Sequence, residues 1–406
     1  MQMYLPAHNA SALPHAATAS LRILHVAPNY YPAVRYGGLI RSVQGLAEAL
    51  AQRGHKVHVY TTSVDGDDDL DVPIGCPVEI GGVSVYYFRV PAMRRLHWSP
   101  EMGKRLEEAV REFDVVHLHS IYLWPTWAAA RAARRNNVPY VVSPHGMLVS
   151  DLIRGKNRWI KTAWINLMER GSLKRASALH CSTDWETKQV NALGLPLPTI
   201  STIPQGVVWP DEYIPLSDGP FADISKPYAL FLGRISREKG LDRLISAWKW
   251  VSNLDLVIAG SGDEHLQRKL QSELATAGMA DRVRFVGHAS DTHKWALLKN
   301  AEMLVLTSYS ENFGYVVAEA MAMACPVVIT PEVGLAALVR ESDAGIVVDG
   351  EPQKFAKTVC ALHADETRRH AMGLRGRAAV GDSLSWTAAS TRMAALYKSI
   401  SAGAEH

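Results

Sequence analysis

The sequence is short of cysteine, of long apolar runs and of blocks of one charge sign. Its four cysteines, Cys76, Cys181, Cys325 and Cys360, stand far apart in 406 residues and form no C-x-x-C pair. That spacing fits neither a structural zinc site nor a disulfide framework, and it points to a reducing compartment. No stretch approaches the roughly 18 apolar residues needed to cross a bilayer. Residues 1–20 lack both the basic start and the apolar centre of a signal peptide, so they read as a loose, disordered tail. The expected location is the cytoplasm, at most against the inner face of the cytoplasmic membrane. Lys and Arg number 43 against 40 Asp and Glu, a formal net charge of +3, too small to make nucleic acid an expected partner. There is no tandem repeat of about 20 to 50 residues.

What is present is apolar material in short, punctuated runs. Hydrophobic residues make up 48% of the chain, and 406 residues exceed a single ordinary core, so two domains are expected. The first half alternates β-branched runs with amphipathic ones: RILHVA (22–27), a helical GGLIRSVQGLAEALAQRG, HKVHVYTT (55–62), DVVHLHS (114–120), PYVVSPHG (139–146), SALHCST (177–183) and ISTIP (200–204). The second half restarts with YALFLGRI (228–235) and continues through LDLVIAG, VRFVG, MLVLTS, PVVIT and AGIVVD. Strands alternating with helices imply parallel sheets covered on both faces. The expected class is therefore α/β, two Rossmann-like domains facing across a cleft. Residues 204–227, rich in Pro, Gly and Asp without a clear period, read as the boundary. Ligands of such sheets sit at the carboxyl ends of the strands, so the chemistry should lie in the strand-end loops.

Five stretches carry candidate chemistry. Gly37 and Gly38 open the first helix, where bare backbone N–H groups can approach an anion; a plain turn is the alternative. GRISREKG places Arg234 and Lys239 five residues apart after a strand. The two are either partners for a diphosphate leaving group or solvated loop charges. In SENFGYVVAEAMA, Glu311 falls in the turn after the strand MLVLTS and Glu319 in the second turn of the following helix. Each carboxylate can accept from two vicinal hydroxyls of a sugar or a ribose. The plainer readings are an N-terminal cap for Glu311 and an exposed helix face for Glu319, although Val317, Ala318, Ala320 and Met321 around Glu319 argue against full solvation. His117 and His119 alternate in DVVHLHS and so share one face. No acidic or cysteine partner of suitable spacing accompanies them as metal ligands. His145, in SPHGM, ends another strand and either lines the cleft or is satisfied by loop carbonyls.

Together these stretches resemble glycosyltransferase family 4, the retaining nucleotide-sugar transferases of GT-B fold. The likeness runs from residue 21 to about 400 and rests on ILHVAPNYYPAVRYGGLIRSVQGLAEALAQRGHKVHV, DVVHLHS, VVSPHGML, ALFLGRISREKGLDRLI, LVIAGSGDE and the glutamate pair of ENFGYVVAEAMAMACPVV. The resemblance implies that Arg234 and Lys239 hold the diphosphate and that Glu319 binds the ribose. It implies that Glu311 and the amides of Asn312, Phe313, Gly314 and Tyr315 hold the donor sugar, and that Gly37 and Gly38 approach the phosphates. His145, Glu311, Arg234 and Lys239 are the implied catalytic group, with Tyr36, His119 and His145 on the acceptor side. The donor would be a UDP- or GDP-sugar, and no metal or other cofactor would be required. The implied organisation is an acceptor domain over 21–205, a nucleotide-sugar domain over 206–383, and a final helix within 384–406, carried by SWTAASTRMAALY, that crosses back to the first domain. Two departures stand out: Cys325 in MACPVV, where glycine is common, and PEVGLAALV, where GG followed by an acidic residue is usual.

The implied reaction is transfer of a hexose to a glycan or lipid-linked glycan, in cell-surface polysaccharide or lipopolysaccharide assembly. Residues 152–175 carry seven Lys or Arg against one Glu, with Trp159, Ile160, Ala163, Trp164 and Leu167 at helical spacing. They read as a basic amphipathic helix meeting anionic lipid or as a helix on its own core with a solvated basic face. Arg94, Arg95, Lys104 and Arg105 add charge elsewhere in the first half. The competing functions are a nucleotide-sugar epimerase of the same fold and a non-catalytic nucleotide-sugar binding protein.

Overall fold

The computed structural model describes residues 20–33, 37–148, 169–210, 224 and 227–403. Its described residues divide into two compact units, one within 207–385 and the other holding those from 20 to 206 together with those from 386 onward. The tail, Tyr36 and all of the basic segment before Glu169 lie outside the described residues.

The first unit is built on strands β1 (Arg22–Val26), β2 (Lys56–Thr62), β3 (Val64–Asp65), β4 (Asp68–Asp69), β5 (Pro77–Ile80), β6 (Val83–Phe88), β7 (Val115–His119), β8 (Tyr140–Ser143), β9 (Ala178–Cys181) and β10 (Ile200–Thr202). Eight of them form one sheet in the order β10-β9-β8-β7-β1-β2-β6-β5, and β3 pairs with β4 in a small separate ribbon. Every pairing in the large sheet is parallel except β5 with β6. The short strands β3 to β6 go beyond the sequence expectation. The signal for β5 and β6 was local: PVEI and VSVYYF flank Gly81-Gly82, a two-residue hairpin turn with φ of +58° and +80°.

Alternate residues of each strand feed two separate cores. Leu24, Val26, Val116 and Leu118 pack toward the helices Pro100–Ala109 and Trp124–Arg135. Ile23, Val57, Val59, Val115, Val141 and Ala178 pack on the opposite face, with Val43, Leu46 and Leu50 of the helix Gly38–Gln52 and Met393, Ala394 and Tyr397 of the last helix, Trp386–Ala402. The last helix therefore belongs to the first unit. Its opening indole, Trp386, rests on the bare backbones of Gly45 and Gly206.

The second unit carries β11 (Tyr228–Leu232), β12 (Asp255–Ala259), β13 (Val283–Gly287), β14 (Met303–Leu306), β15 (Val327–Ile329) and β16 (Gly345–Val347). They form one all-parallel sheet in the order β13-β12-β11-β14-β15-β16. Numbered within the unit the order is 3-2-1-4-5-6, the doubly wound arrangement whose direction of growth reverses between its first and fourth strands. The two loops at that reversal are 233–240 and 307–314. In the first unit the corresponding reversal lies between β1 and β7.

Packing at Trp386 yields a stability prediction. In Gly45→Ala the new methyl would overlap the Trp386 indole. Alanine gains up to about 1 kcal/mol of helix propensity over glycine, whereas overpacking costs about 1–3 kcal/mol. Because the indole already occupies the space of the new methyl, the cost should fall toward the upper end, leaving a net loss of about 1–2 kcal/mol in urea unfolding of the intact chain. A variant as stable as the parent would contradict this packing.

Candidate functional site

In the second unit the GRISREKG and SENFG loops meet. Gly240, with φ of +65°, lies against the Thr307 carbonyl so closely that a Cβ would overlap it, and Thr307 Oγ1 donates to the Gly240 carbonyl at 2.8 Å. That close approach ties the loop after β11 to the loop after β14. The Lys239 ammonium consequently contacts the Glu311 carboxylate, with each side chain 18% exposed. Two groups assigned to different parts of a donor, the diphosphate and the sugar, are thus neighbours. Glu311 is itself fixed by backbone: its N–H donates to the Glu332 carbonyl (3.0 Å) and its carbonyl accepts from Gly334 (2.8 Å). Arg234 is exposed at the edge of the same loop.

Gly314, φ +91°, caps the helix Tyr315–Ala322, and among the described residues no side chain caps that end. Gly37, φ +66°, does the same for Gly38–Gln52. Glu319 lies in the second turn but is buried, not on a solvated face, and Lys294 of the helix Asp291–Asn300 donates to it at 2.9 Å. Lys294 also meets Asp291 at 3.2 Å and lies 4.1 Å above the Trp295 ring. No sequence spacing pointed to Lys294. Cys325, which stands where glycine is common, is a buried packing residue, and burial raises its thiol pKa to about 12.

The first unit gathers histidines. His25 on β1, His117 and His119 on β7, Ser143 on β8 and His180 on β9 all lie on the sheet face covered by Gly38–Gln52 and the last helix. Strand register makes them neighbours, with His25 opposite His117 and His119 opposite Ser143. Sequence reasoning found His117, His119 and His145 but not His25, Ser143, His180 or Tyr397.

One hydrogen-bonded chain runs Tyr397 Oη, His117 Nδ1 (2.6 Å), His117 Nε2, Ser143 Oγ (2.6 Å), His180 Nδ1 (2.7 Å), and from His180 Nε2 to the Ile203 carbonyl (2.9 Å). A carbonyl only accepts, so His180 must carry its proton on Nε2. Neutral His180 then accepts at Nδ1 from Ser143, Ser143 accepts from His117 Nε2–H, and His117 accepts from Tyr397. A second chain runs from His25 Nδ1 to His119 Nε2 (2.8 Å) and from His119 Nδ1 to His145 Nε2 (3.0 Å). Burial depresses all of these histidines: His25 and His145 to about 3, His180 to about 4, His117 and His119 well below their usual value.

His145 sits in a strained turn. Its φ is +50° and that of Gly146 is +78°, a conformation unfavourable for a non-glycine residue. Glu186 holds the turn, accepting from the Gly146 N–H at 2.6 Å with one oxygen and from the Ser182 N–H at 2.8 Å with the other. His119, His145 and His180 border a small pocket completed by Ser42, Gln205 and Trp386, among others. His25, His117 and His119 also bring one ring nitrogen each within 4.8 Å of the others, a spacing open to a metal ion. His117 and His119, however, already engage both nitrogens in hydrogen bonds, which a metal would have to displace. Of the basic residues noted in sequence, Arg94 is bound locally to Asp69 and the Gly66 carbonyl, each at 3.0 Å, and Arg105 lies 5.9 Å from the Tyr86 ring centre.

Two predictions follow from these burials. Each cluster histidine is neutral when folded and takes a proton near pH 6.5 when unfolded, so below that pH the unfolded state binds more protons. Stability should be flat above pH 7 and fall from pH 6.5 toward 4, at up to about 1.4 kcal/mol per pH unit for each histidine. Urea midpoints at pH 7.5, 6 and 5 read this slope, and a midpoint unchanged at pH 5 would contradict it. Lys294→Met leaves Glu319 buried without its ammonium and should cost about 3–5 kcal/mol in the same assay, whereas Lys294→Met with Glu319→Leu should recover most of that loss. Equal losses in single and double variants would count against a buried pair.

Comparison with known proteins agrees with this architecture. The family profile described as glycosyl transferases group 1 matches residues 220–379, and that of the glycosyl transferase 4-like domain matches residues 37–206. The chain is 28% identical over 403 residues to a D-inositol 3-phosphate glycosyltransferase of Xylanimonas cellulosilytica, covering 89% of this chain and 91% of that one. Among solved structures it resembles a sucrose-phosphate synthase from Thermosynechococcus elongatus, with a TM-score of 0.73 and 20% identity over 94% of this chain and 100% of that one. It also resembles Anabaena HepE in complex with UDP and glucose, with a TM-score of 0.70 and 18% identity over 93% and 100%. Two consecutive domain profiles, a reversal-point loop pair in the second unit and the matching fold together place the chain among the family 4-like glycosyltransferases of GT-B fold.

Proposed function

We propose that this glycosyltransferase moves a hexose from a UDP- or GDP-sugar to a glycan or lipid-linked glycan, with retention at the anomeric carbon and without a metal, in the assembly of a cell-surface polysaccharide or lipopolysaccharide. The observation that carries the reading is the junction of Lys239 and Glu311 at the strand-order reversal of the second unit. A cation and a carboxylate there match the two halves of a nucleotide sugar. The diphosphate takes Lys239 and Arg234, while Glu311, released from Lys239, accepts from the sugar hydroxyls alongside the amides of residues 312–315. Glu319, held by Lys294, accepts from the ribose. Gly37 and Gly38 offer backbone N–H groups to the phosphates, and His145 serves the acceptor side.

On this reading the positive charge needed by the departing diphosphate comes from Arg234 and Lys239. The acceptor proton passes to the leaving phosphate. The neighbour holding UDP and glucose supports a hexose and a nucleotide donor, and the relative named for D-inositol 3-phosphate supports glycosyl transfer. If the acceptor is lipid-linked, residues 152–175 are the surface proposed to meet anionic headgroups.

A panel of UDP- and GDP-sugars, followed for nucleotide release and for sugar isomerisation, tests the reading. Release that requires an acceptor and persists in EDTA supports it; a new sugar nucleotide would indicate epimerisation, and binding without turnover an idle binder. Arg234→Ala and Lys239→Ala should each lower kcat by ~10² or more. Turnover within a few-fold of the parent would remove both residues from the diphosphate.

A further inference from the structure

His25, His119 and His145 form a file of imidazoles that is bonded nitrogen to nitrogen. The ring centres of His25 and His119 are 5.1 Å apart with planes inclined by 15°, and those of His119 and His145 are 5.3 Å apart and inclined by 25°. Such separations, at nitrogen distances of 2.8 and 3.0 Å, are those of rings meeting edge to edge in nearly one plane. Each neutral imidazole has one N–H and one bare nitrogen, so the file has only two states. Either every proton points from His25 toward His145, or every proton points the other way.

The buried end selects between them. His25 is fully buried and its Nε2 has no hydrogen-bond partner among the described residues. With the protons pointing toward His145, that Nε2 is a bare lone pair. With the protons reversed, it is a buried N–H donor with no acceptor among the described residues, and orphaned buried N–H groups are the rarer defect. The other end is permissive, because His145 is half-buried and its Nδ1 makes no hydrogen bond to a described residue, so it can meet solvent or ligand in either state. The strained backbone at His145 and the Glu186 brace fix where the ring sits.

We propose that His119, backed by His25, is a positioning residue that holds His145 as its Nδ1–H tautomer, so that His145 offers the transfer site a hydrogen-bond donor rather than an acceptor. The turnover consequence rests on the assignment of His145 to that site; the tautomer does not. Inverting the file would turn a donor aimed at a sugar or acceptor oxygen into a lone pair, leaving the ring in place but its hydrogen bond reversed. His119 is buried with both ring nitrogens engaged by His25 and His145, which takes it off the acceptor side where the resemblance had put it; it touches no reactant and acts only through His145.

Nitrogen-15 NMR of the histidine-labelled parent reads the tautomer directly, with the His145 signals identified by their loss in His145→Gln. The expected result is a protonated Nδ1 and a bare Nε2; a protonated Nε2 overturns the proposal without recourse to any His119 variant. Turnover then tests the route. Asparagine at 119 can place an amide donor near the position of Nδ1, whereas glutamine reaches the position of Nε2. His119→Asn should keep the His145 tautomer and most of kcat. His119→Gln should mix the tautomers and lower kcat by about tenfold or more, with KM for the donor within about twofold. Equal losses in both variants with an unchanged tautomer would reduce His119 to a packing residue and overturn the proposal. If His145→Gln itself turns over like the parent, His145 is removed from the transfer site, and the NMR result alone judges the tautomer.

Discussion

A parallel sheet covered on both faces excludes water from the side chains along its length, and much of this molecule follows from that exclusion. In both units helices close over the strands, so polar chemistry is confined to the loops where strands end, or must be paired within the interior. The second unit uses the loops: its basic turn and its glutamate turn leave adjacent strands, β11 and β14, at the reversal of strand order. The first unit does the unusual thing and carries polar residues inward, on four neighbouring strands at the same face.

The charged pairs of the second unit show what burial asks of them. At an effective dielectric near 20, opposite charges about 4 Å apart attract by about 4 kcal/mol, and the cost of desolvating each ion in a protein interior is of similar size. Lys294 with Glu319, and Lys239 with Glu311, therefore add little net stability. What they contribute is placement, because Glu319 cannot turn from Lys294 without leaving that buried ammonium to the exposed Asp291 as its remaining carboxylate. Lys239 and Glu311 differ in being partly exposed at 18%. They have more freedom to part than Lys294 and Glu319, whose side chains are 9% and 7% exposed.

Most of the strand plan was legible because β-branched runs separated by amphipathic stretches reflect a purely local requirement. That Arg234, Lys239 and Glu311 fall in strand-end loops and Glu319 in the helix after one was legible, because each position follows from the strand before it. The hairpin of β5 and β6 was missed although Gly81-Gly82 announced it. His25, Ser143, His180 and Tyr397 could not be read as a group. They come from four widely separated segments, and only register brings them together, with His25 opposite His117 and His119 opposite Ser143. Lys294 was hidden for the same reason: its meaning comes from Glu319, which faces it from another helix. A spacing rule sees neighbours along the chain, whereas these contacts exist only once the sheet and helices have formed.

The two imidazole chains also explain why the interior of the first unit tolerates so many titratable rings. A charged imidazolium there would lack water and would face other rings, so each ring is neutral, and a neutral imidazole must both donate and accept to be satisfied. Linking the rings end to end meets that need inside an apolar environment, but a linked chain has a direction, and only its ends can set it. The Ile203 carbonyl sets one chain, and the bare Nε2 of His25 favours one sense in the other. Replacing any interior member by an apolar residue of equal size would leave two partners each short of a hydrogen bond, a cost of roughly 1–3 kcal/mol apiece. The network is therefore held as a unit, and its protons are ordered by the fold rather than by the pH of the surrounding water.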